Sequence, residues 1–242
     1  MNPTIVSRLL DINRQFYQSF AVPFSETRQR LQPGVFRILK MVEPEAMILD
    51  LGCGNGELAR TLSRMGHRGL YIGVDSSAGL LSLARANTSE DFPATFIQVD
   101  LSVPGWERSV PQSNFDFVFA FAVLHHLPGS TLRRQLLRKI PGLLTAGGSF
   151  IHSEWQFLNS ERLRARLQPW REAGLDASDV DPGDYLLDWR QGGYSLRYVH
   201  HFTIEELEEL AQETCFQIQE TFHSDGESGD LGLYQVWKPI GV

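Results

Sequence analysis

The chain of 242 residues holds only two cysteines, Cys53 and Cys215, and nothing resembling a CxxC pair. A structural disulfide or a zinc site is therefore unsupported, no metal is expected, and each cysteine reads as a small buried residue. No apolar run reaches the length of a membrane span. Met1 to Leu10 lacks the apolar centre of a secretory signal, so a cytoplasmic protein with no membrane association is expected. Lysine is scarce as well: of 22 basic residues, only Lys40, Lys139 and Lys238 are not arginine. Basic residues all but vanish near the C-terminus, where residues 201–242 carry 1 Lys/Arg against 9 Asp/Glu, whereas residues 1–200 carry 21 against 20. A net charge of −7 argues against strong unaided binding to nucleic acid, while the arginine-rich N-terminal part leaves local RNA contact open. With 42% hydrophobic and 21% charged residues, the composition is that of a globular chain able to bury one core, hence a single domain.

What the sequence does contain is organised around Met47 to Glu57, where an apolar run ends at Asp50 and opens into glycines at 52, 54 and 56. The pattern reads as a strand, a tight turn and a helix start, with backbone bare enough for a ligand to lie against it. A dinucleotide fingerprint would need glycine at 57, where Glu57 stands. A nicotinamide or flavin pyrophosphate would also disfavour the carboxylate of Asp50. A cationic ligand without phosphate suits it, and S-adenosylmethionine, with its sulfonium and ammonium, is such a ligand.

Further apolar segments end in acids in the same way. Leu70 to Val74 leads to Asp75 and Ser76, about twenty residues after the glycine turn, where an acid can accept both ribose hydroxyls. Ala94 to Val99 leads to Asp100 and Leu101. A fourth strand runs through Phe115 to Ala122 into Val123-Leu124-His125-His126, and a fifth from Gly147 to Ile151. Helical stretches at Ser77 to Asn87 and Leu132 to Leu144 alternate with them, which predicts a doubly wound parallel sheet. At the N-terminus, Ile5, Leu9, Ile12, Phe16 and Phe20 have helical spacing, with Pro23 as the expected stop, Phe24 to Arg28 as a loop and Val35 to Met41 as a second helix. Residues 1–46 thus form an N-terminal helical cap on a cofactor core at 47–151. The long segment 159–202 is the expected substrate-side insertion, with a helix at Ser160 to Trp170 and an irregular acidic stretch at Asp176 to Asp188. Residues 203–242 supply a helix capped by Thr203, with Glu206 completing a capping box, and a hairpin from Phe216 to Phe222 and Leu233 to Trp237.

The series DLGCGNG, GVDSS, QVDL, FDFVFAFAVLHHL and LLTAGGSF resembles the motif order of class I S-adenosylmethionine-dependent methyltransferases. The resemblance implies a Rossmann-like, α/β, seven-stranded, mostly parallel sheet with an antiparallel C-terminal hairpin. It also implies S-adenosylmethionine as cofactor, held by Asp50, Gly52, Cys53, Gly54 and Gly56 at the methionine end, Asp75 and Ser76 at the ribose, and Asp100 and Leu101 at the adenine. Ala120, Phe121 and Ala122 then lie against the methyl donor. Two flanking pieces narrow the family: Phe16-Tyr17 with Pro23 to Arg28, and Arg197-Tyr198-Val199-His200-His201-Phe202 before an acidic helix. These are similar to eukaryotic tRNA wobble-uridine methyltransferases, which esterify carboxymethyluridine and act with a small zinc-containing partner protein. That resemblance places Arg28, Arg197, Tyr198 and His200 on the substrate side, arginine being suited to a carboxylate or phosphate.

His125 and His126 have two readings, a general base facing the methyl donor or histidines packed at a helix start. A metal cluster with His152, His200 and His201 lacks carboxylate or thiolate partners at ligand spacing. Carboxylate methylation needs no base, because its nucleophile is already ionised. A small carboxylic acid or phenol is the alternative acceptor to tRNA, a non-catalytic cofactor-fold subunit is an alternative of another class, and a nicotinamide oxidoreductase is disfavoured by Glu57. The sequence is silent on oligomeric state.

Overall fold

The computed structural model describes residues 1–241. In chain order its regular elements are α1 (Pro3–Ser19), α2 (Ala21–Glu26), α3 (Pro33–Leu39), β1 (Ile48–Leu51), α4 (Glu57–Arg64), β2 (Tyr71–Asp75), α5 (Ala78–Asn87) and β3 (Ala94–Gln98). They continue with β4 (Phe115–Phe121), α6 (Ser130–Leu137), β5 (Leu144–Trp155), α7 (Glu161–Arg164), β6 (Leu167–Gln168), β7 (Asp184–Trp189), β8 (Ser195–His200), α8 (Ile204–Glu213), β9 (Phe216–Ser224) and β10 (Gly232–Pro239). The main sheet has seven strands in the order β3-β2-β1-β4-β5-β10-β9, parallel except for β10, which runs antiparallel to both β5 and β9. This is the expected Rossmann-like, mostly parallel architecture with its C-terminal hairpin.

The sheet is buried on both faces, and its strands divide their side chains between two apolar layers with a period of two. Leu49, Val118 and Phe150 point into the layer closed by Leu136 and Leu137 of α6 and Leu207 and Leu210 of α8. Ile48, Phe119 and Ile151 point into the layer closed by Ile38 of α3, Leu58 and Leu62 of α4 and Leu81 of α5. The strand order reverses between β1 and β4, so the carboxyl ends of β1, β2 and β4 frame a crevice at the switch point, where ligands bind in open α/β sheets.

Several expectations are corrected. Pro23 does not stop the first helix. α1 ends at Ser19, and Pro23 sits in the first turn of α2, where a missing N–H costs nothing, so Phe24 to Glu26 is helical rather than loop. The helix expected over Ser160 to Trp170 is only the single turn of α7, because Pro169 biases Gln168 to an extended conformation and Leu167 and Gln168 pair with β7. The stretch read as irregular ends in β7, which forms a hairpin with β8 across Gly192-Gly193, and β6, β7 and β8 make a second, three-stranded antiparallel sheet. Thr203 does accept from Glu206 N at 3.2 Å, but the Glu206 carboxylate is turned to Arg133 and His200, so the capping box stays half-made. Cys215 is exposed, since its left-handed φ of 63° turns α8 into β9 and aims the side chain outward.

The small sheet is fixed to the main one by a buried polar cluster. The Asp184 carboxylate accepts from Tyr198 OH at 2.7 Å and from His200 Nδ1 at 2.7 Å, with Arg133 Nη2 at 3.7 Å. Arg133 also donates to Leu127 O and Glu206, so β7, β8, α6 and α8 meet on one guanidinium. Removing one partner of a buried charge cluster strands the others without solvent. Arg133→Met is expected to lower the unfolding free energy by about 3 kcal/mol with an unchanged denaturant slope, and Arg133→Met with Asp184→Asn to recover part of that loss, both read from urea unfolding.

Candidate active site

The glycine turn after β1 is built from left-handed backbone. Gly54 has φ +56°, and a Cβ there would meet no protein atom within 4 Å, so its backbone is presented bare to the crevice. Gly56 has a different task. A Cβ on it would fall 2.9 Å from the Ala84 backbone, so this glycine lets α4 pack on α5 and does not line the cavity. The Gly54 N–H donates to Asp75 Oδ2 at 3.0 Å and the Ser77 N–H to Asp75 Oδ1 at 2.8 Å. One backbone donor on each oxygen leaves lone pairs free for two further hydroxyls. Burial raises the Asp75 pKa, and those amides partly offset it.

Asp50 is buried at the end of β1 and accepts from Tyr71 OH at 2.5 Å. No cation faces it, and burial pushes its pKa up to about 7 against the pull of the Tyr71 hydroxyl. Asp100 lies two residues beyond β3, where it accepts from Ser102 N at 2.9 Å and from Arg14 at 3.3 Å. Ala122 follows β4 with a left-handed φ of 60°, a strained conformation for alanine, held by its N–H donating to Ser153 O at 2.9 Å.

These elements bound a cavity of about 1070 Å³, whose other walls are α1, the Thr27 to Gln32 loop, the end of β5 and the β7–β8 hairpin. Of the expected site residues, Asp50, Gly52, Cys53, Gly54, Asp75, Ser76, Asp100, Leu101, Phe121, Ala122, His125, His126, Arg28 and Arg197 line it. Ala120 is fully buried inside β4 and Gly56 is behind the turn. Tyr198 and His200 are also away from the cavity. Alternation along β8 turns Arg197 and Val199 one way and sends Tyr198 and His200 the other, into the Asp184 cluster.

Arg197 is the most unusual group of the site. It is 3% exposed, its Nε has no hydrogen-bond partner, and no carboxylate bears on it. Its guanidinium is packed on the rings of Phe16, Trp155 and Trp189, at 4.9, 5.5 and 5.2 Å from their centroids. Burial, with Arg28 adding repulsion, brings its pKa down to about 10, so it remains a cation at neutral pH. Arg28, stacked on Phe24 at 4.8 Å, likewise has no acid against it. A buried guanidinium and a half-buried one, neither facing a carboxylate, leave this part of the cavity suited to an anion.

The adjacent histidines are held in fixed tautomers by different partners. His126 Nδ1 lies 3.2 Å from the Tyr198 carbonyl, which can only accept, so Nε2 is the acceptor for Tyr17 OH at 2.9 Å. Burial and then Arg197 bring the His126 pKa down to about 3. His125 Nδ1 lies 3.0 Å from Glu154 Oε2. Among the described residues no group of three or more His, Cys, Asp or Glu could hold a metal. Sequence reasoning missed Tyr17 as a site group, Glu154, and the rim arginines Arg162, Arg166 and Arg190. Glu154 carried the same signal as Asp50 and Asp75, an acid at a strand's carboxyl end, but the fifth strand was expected to stop at Ile151.

Residues 48–148 match the family model described as a methyltransferase domain. The chain is 27% identical over 205 residues to a "putative methyltransferase" of Encephalitozoon cuniculi, covering 84% of this chain and 86% of that one. It is 28% identical over 141 residues to the tRNA (carboxymethyluridine(34)-5-O)-methyltransferase of Schizosaccharomyces pombe, spanning 58% of this chain and 56% of the relative's length. The fold is shared with the structure of DhpI in complex with SAH, at a TM-score of 0.65, 17% identity and coverage of 98% and 99%. It is shared as well with a chain from the complex of the Haloferax volcanii Trm112 methyltransferase activator, at a TM-score of 0.66, 16% identity and coverage of 96% and 98%.

The residues present fit S-adenosylmethionine: a bare left-handed turn at Gly54, the spare lone pairs of Asp75, and the uncompensated Asp50 for an ammonium. An ammonium beside Asp50 favours its ionised form and draws its pKa below 7. Cofactor binding just below neutral pH is therefore expected to release protons, seen calorimetrically as a binding heat that changes with buffer ionisation enthalpy. Asp50→Asn is expected to abolish that dependence and to weaken binding about tenfold or more. Turn, strand-end acids, sheet order and relatives agree: the chain is a class I S-adenosylmethionine-dependent methyltransferase that resembles the tRNA carboxymethyluridine methyltransferases.

Proposed function

We propose that the chain transfers a methyl group to the carboxylate of a carboxymethyl-type uridine at the wobble position of a tRNA, forming an ester. The observation that carries this reading is Arg197, a buried, aromatic-clasped cation with no acid of its own. A carboxylate entering the cavity completes its coordination, Arg28 adds a second charge, and Trp155 and Phe24, which line the cavity, supply aromatic walls for a pyrimidine. The name carried by the Schizosaccharomyces pombe relative supports the same acceptor.

The cofactor would supply an electrophilic methyl on its sulfonium, with Asp75 and Ser76 at the ribose, Asp100 and Leu101 at the adenine, and Asp50 with the glycine turn at the methionine end. The work of the protein is to hold and orient. A carboxylate at neutral pH is already a nucleophile, so the two arginines fix its direction, and the aromatic walls and the hairpin keep water out. The N-terminal cap (1–46) and the insertion (159–202) form the acceptor side, over a cofactor core at 47–151 and the closing helix and hairpin at 203–242. We extend the proposal to a small activating partner protein, by the fold likeness to a chain of the Trm112 activator complex, and to a cytoplasmic location, where tRNA is met; among the described residues no helix is long and apolar enough to cross a membrane.

A small carboxylic acid or phenol is the second reading, favoured by the net charge of −7 and by the depth of the arginine site. Label from S-adenosylmethionine that enters bulk tRNA and is released by mild alkali is expected, and label only in the small-metabolite fraction would sink the tRNA reading. Arg197→Lys keeps the charge and loses the planar fork. It is expected to lower kcat/KM about 10- to 100-fold, mainly through KM, while cofactor binding stays within about twofold.

A further inference from the structure

Glu154 is withdrawn from water at the carboxyl end of β5, in the wall of the cavity and apart from the residues given above to the cofactor and the anion. Its Oε2 accepts from the His125 backbone N–H at 3.2 Å and faces His125 Nδ1 at 3.0 Å, while Oε1 faces His152 Nδ1 at 3.0 Å. Trp155 N also approaches His125 Nδ1, but at 3.4 Å, longer than the carboxylate contact. Burial raises the Glu154 carboxyl well above the usual range, and with its proton on Oε1, toward His152 Nδ1, Oε2 is the acceptor for both the backbone N–H and the Nδ1–H of His125, which leaves Nε2 with a bare lone pair. Among the described residues that Nε2 has no hydrogen-bond partner. Unlike the Nε2 of His152, it is not sealed off, and His125 lines the cavity. Burial, together with the positive charges of Arg197 and Arg133 nearby, keeps His125 neutral.

An ionised carboxylate needs no base, so on the proposed reaction this lone pair is not required for proton removal. A uracil, however, presents N3–H as a donor between two carbonyl acceptors, whereas cytosine presents a bare nitrogen at the same place. We infer that Glu154 is a positioning residue that fixes His125 with Nε2 open to the cavity, and that this nitrogen accepts the N3–H of the acceptor uracil, selecting uridine over cytidine. The uracil half rests on the proposed tRNA acceptor; the Glu154–His125 half does not. A buried acceptor left without its donor costs about a tenfold to hundredfold loss in specificity.

Two measurements test the halves separately. Imidazole nitrogen NMR on the full chain is expected to show His125 neutral with hydrogen on Nδ1, and Glu154→Gln, with folding checked by SAH binding, to shift it toward a mixture of tautomers. A His125 carrying its hydrogen on Nε2, or an unchanged tautomer in Glu154→Gln, would overturn the role of Glu154. Methyl transfer to an anticodon stem-loop bearing 5-carboxymethyluridine is expected to exceed transfer to its N3-methylated counterpart by about tenfold to a hundredfold, mostly in KM, and His125→Ala to erase the difference. Equal use of both RNAs by the unaltered protein would overturn the uracil contact. No transfer to either RNA would sink the tRNA reading and the uracil contact with it, leaving the NMR result to decide the role of Glu154.

Discussion

Charge taken out of water has to be answered inside the fold, and most of this molecule's site is arranged around that constraint. Asp50 is answered by a tyrosine hydroxyl, Glu154 by two imidazoles and an amide, and Asp184 by Tyr198, His200 and Arg133. Each answer ties together elements distant in sequence. Arg197 is the exception. It is as buried as the others, yet beyond the Tyr17 hydroxyl it is met by aromatic faces, whose quadrupoles soften the cost of its charge without neutralising it. A fold that pairs the buried cation behind the cavity, Arg133, and leaves the one beside it, Arg197, without an acid has a polarity built into that cavity.

That polarity accounts for the division of labour along the chain. The parallel sheet carries acids at its carboxyl edge and offers them to a cationic, hydroxyl-rich ligand. The added α1, α2 and small sheet carry arginines and rings and offer them to an anionic, planar one. The two sets meet over the crevice at the switch point between β1 and β4, which is where a donor and an acceptor must meet for a group to pass between them.

Much of this was legible in the sequence, and the rest was hidden for identifiable reasons. Asp50 and Asp75 announce themselves because an apolar run stops at an acid beside a glycine turn or a helix cap, a purely local pattern. Glu154 does the same thing, but the polar His152 and Ser153 before it masked the continuation of the strand to Trp155. Tyr198 and His200 were drawn to the cavity along with Arg197 because all three share one short string. Once that string is known to be a strand, its period of two separates them. The β7 strand was hidden by its acids, since Asp184 and Asp188 look like loop residues until Arg133, His200 and Arg166 are brought to them from elsewhere in the chain. Local pattern revealed what is local, and the polar residues whose partners are distant could be placed only by the fold.

One side chain on the first helix has a consequence beyond holding the cap in place. Asn13 accepts from Tyr198 N at 2.8 Å through Oδ1 and donates to Tyr198 O at 3.0 Å through Nδ2, which reproduces with one amide the paired bonds of a neighbouring strand. β8 is a rim of the small sheet, and rims of this kind are where extended segments of other chains attach. At Tyr198 that attachment point is already filled from within, so strand-to-strand self-association through this rim would first have to peel the N-terminal helix away.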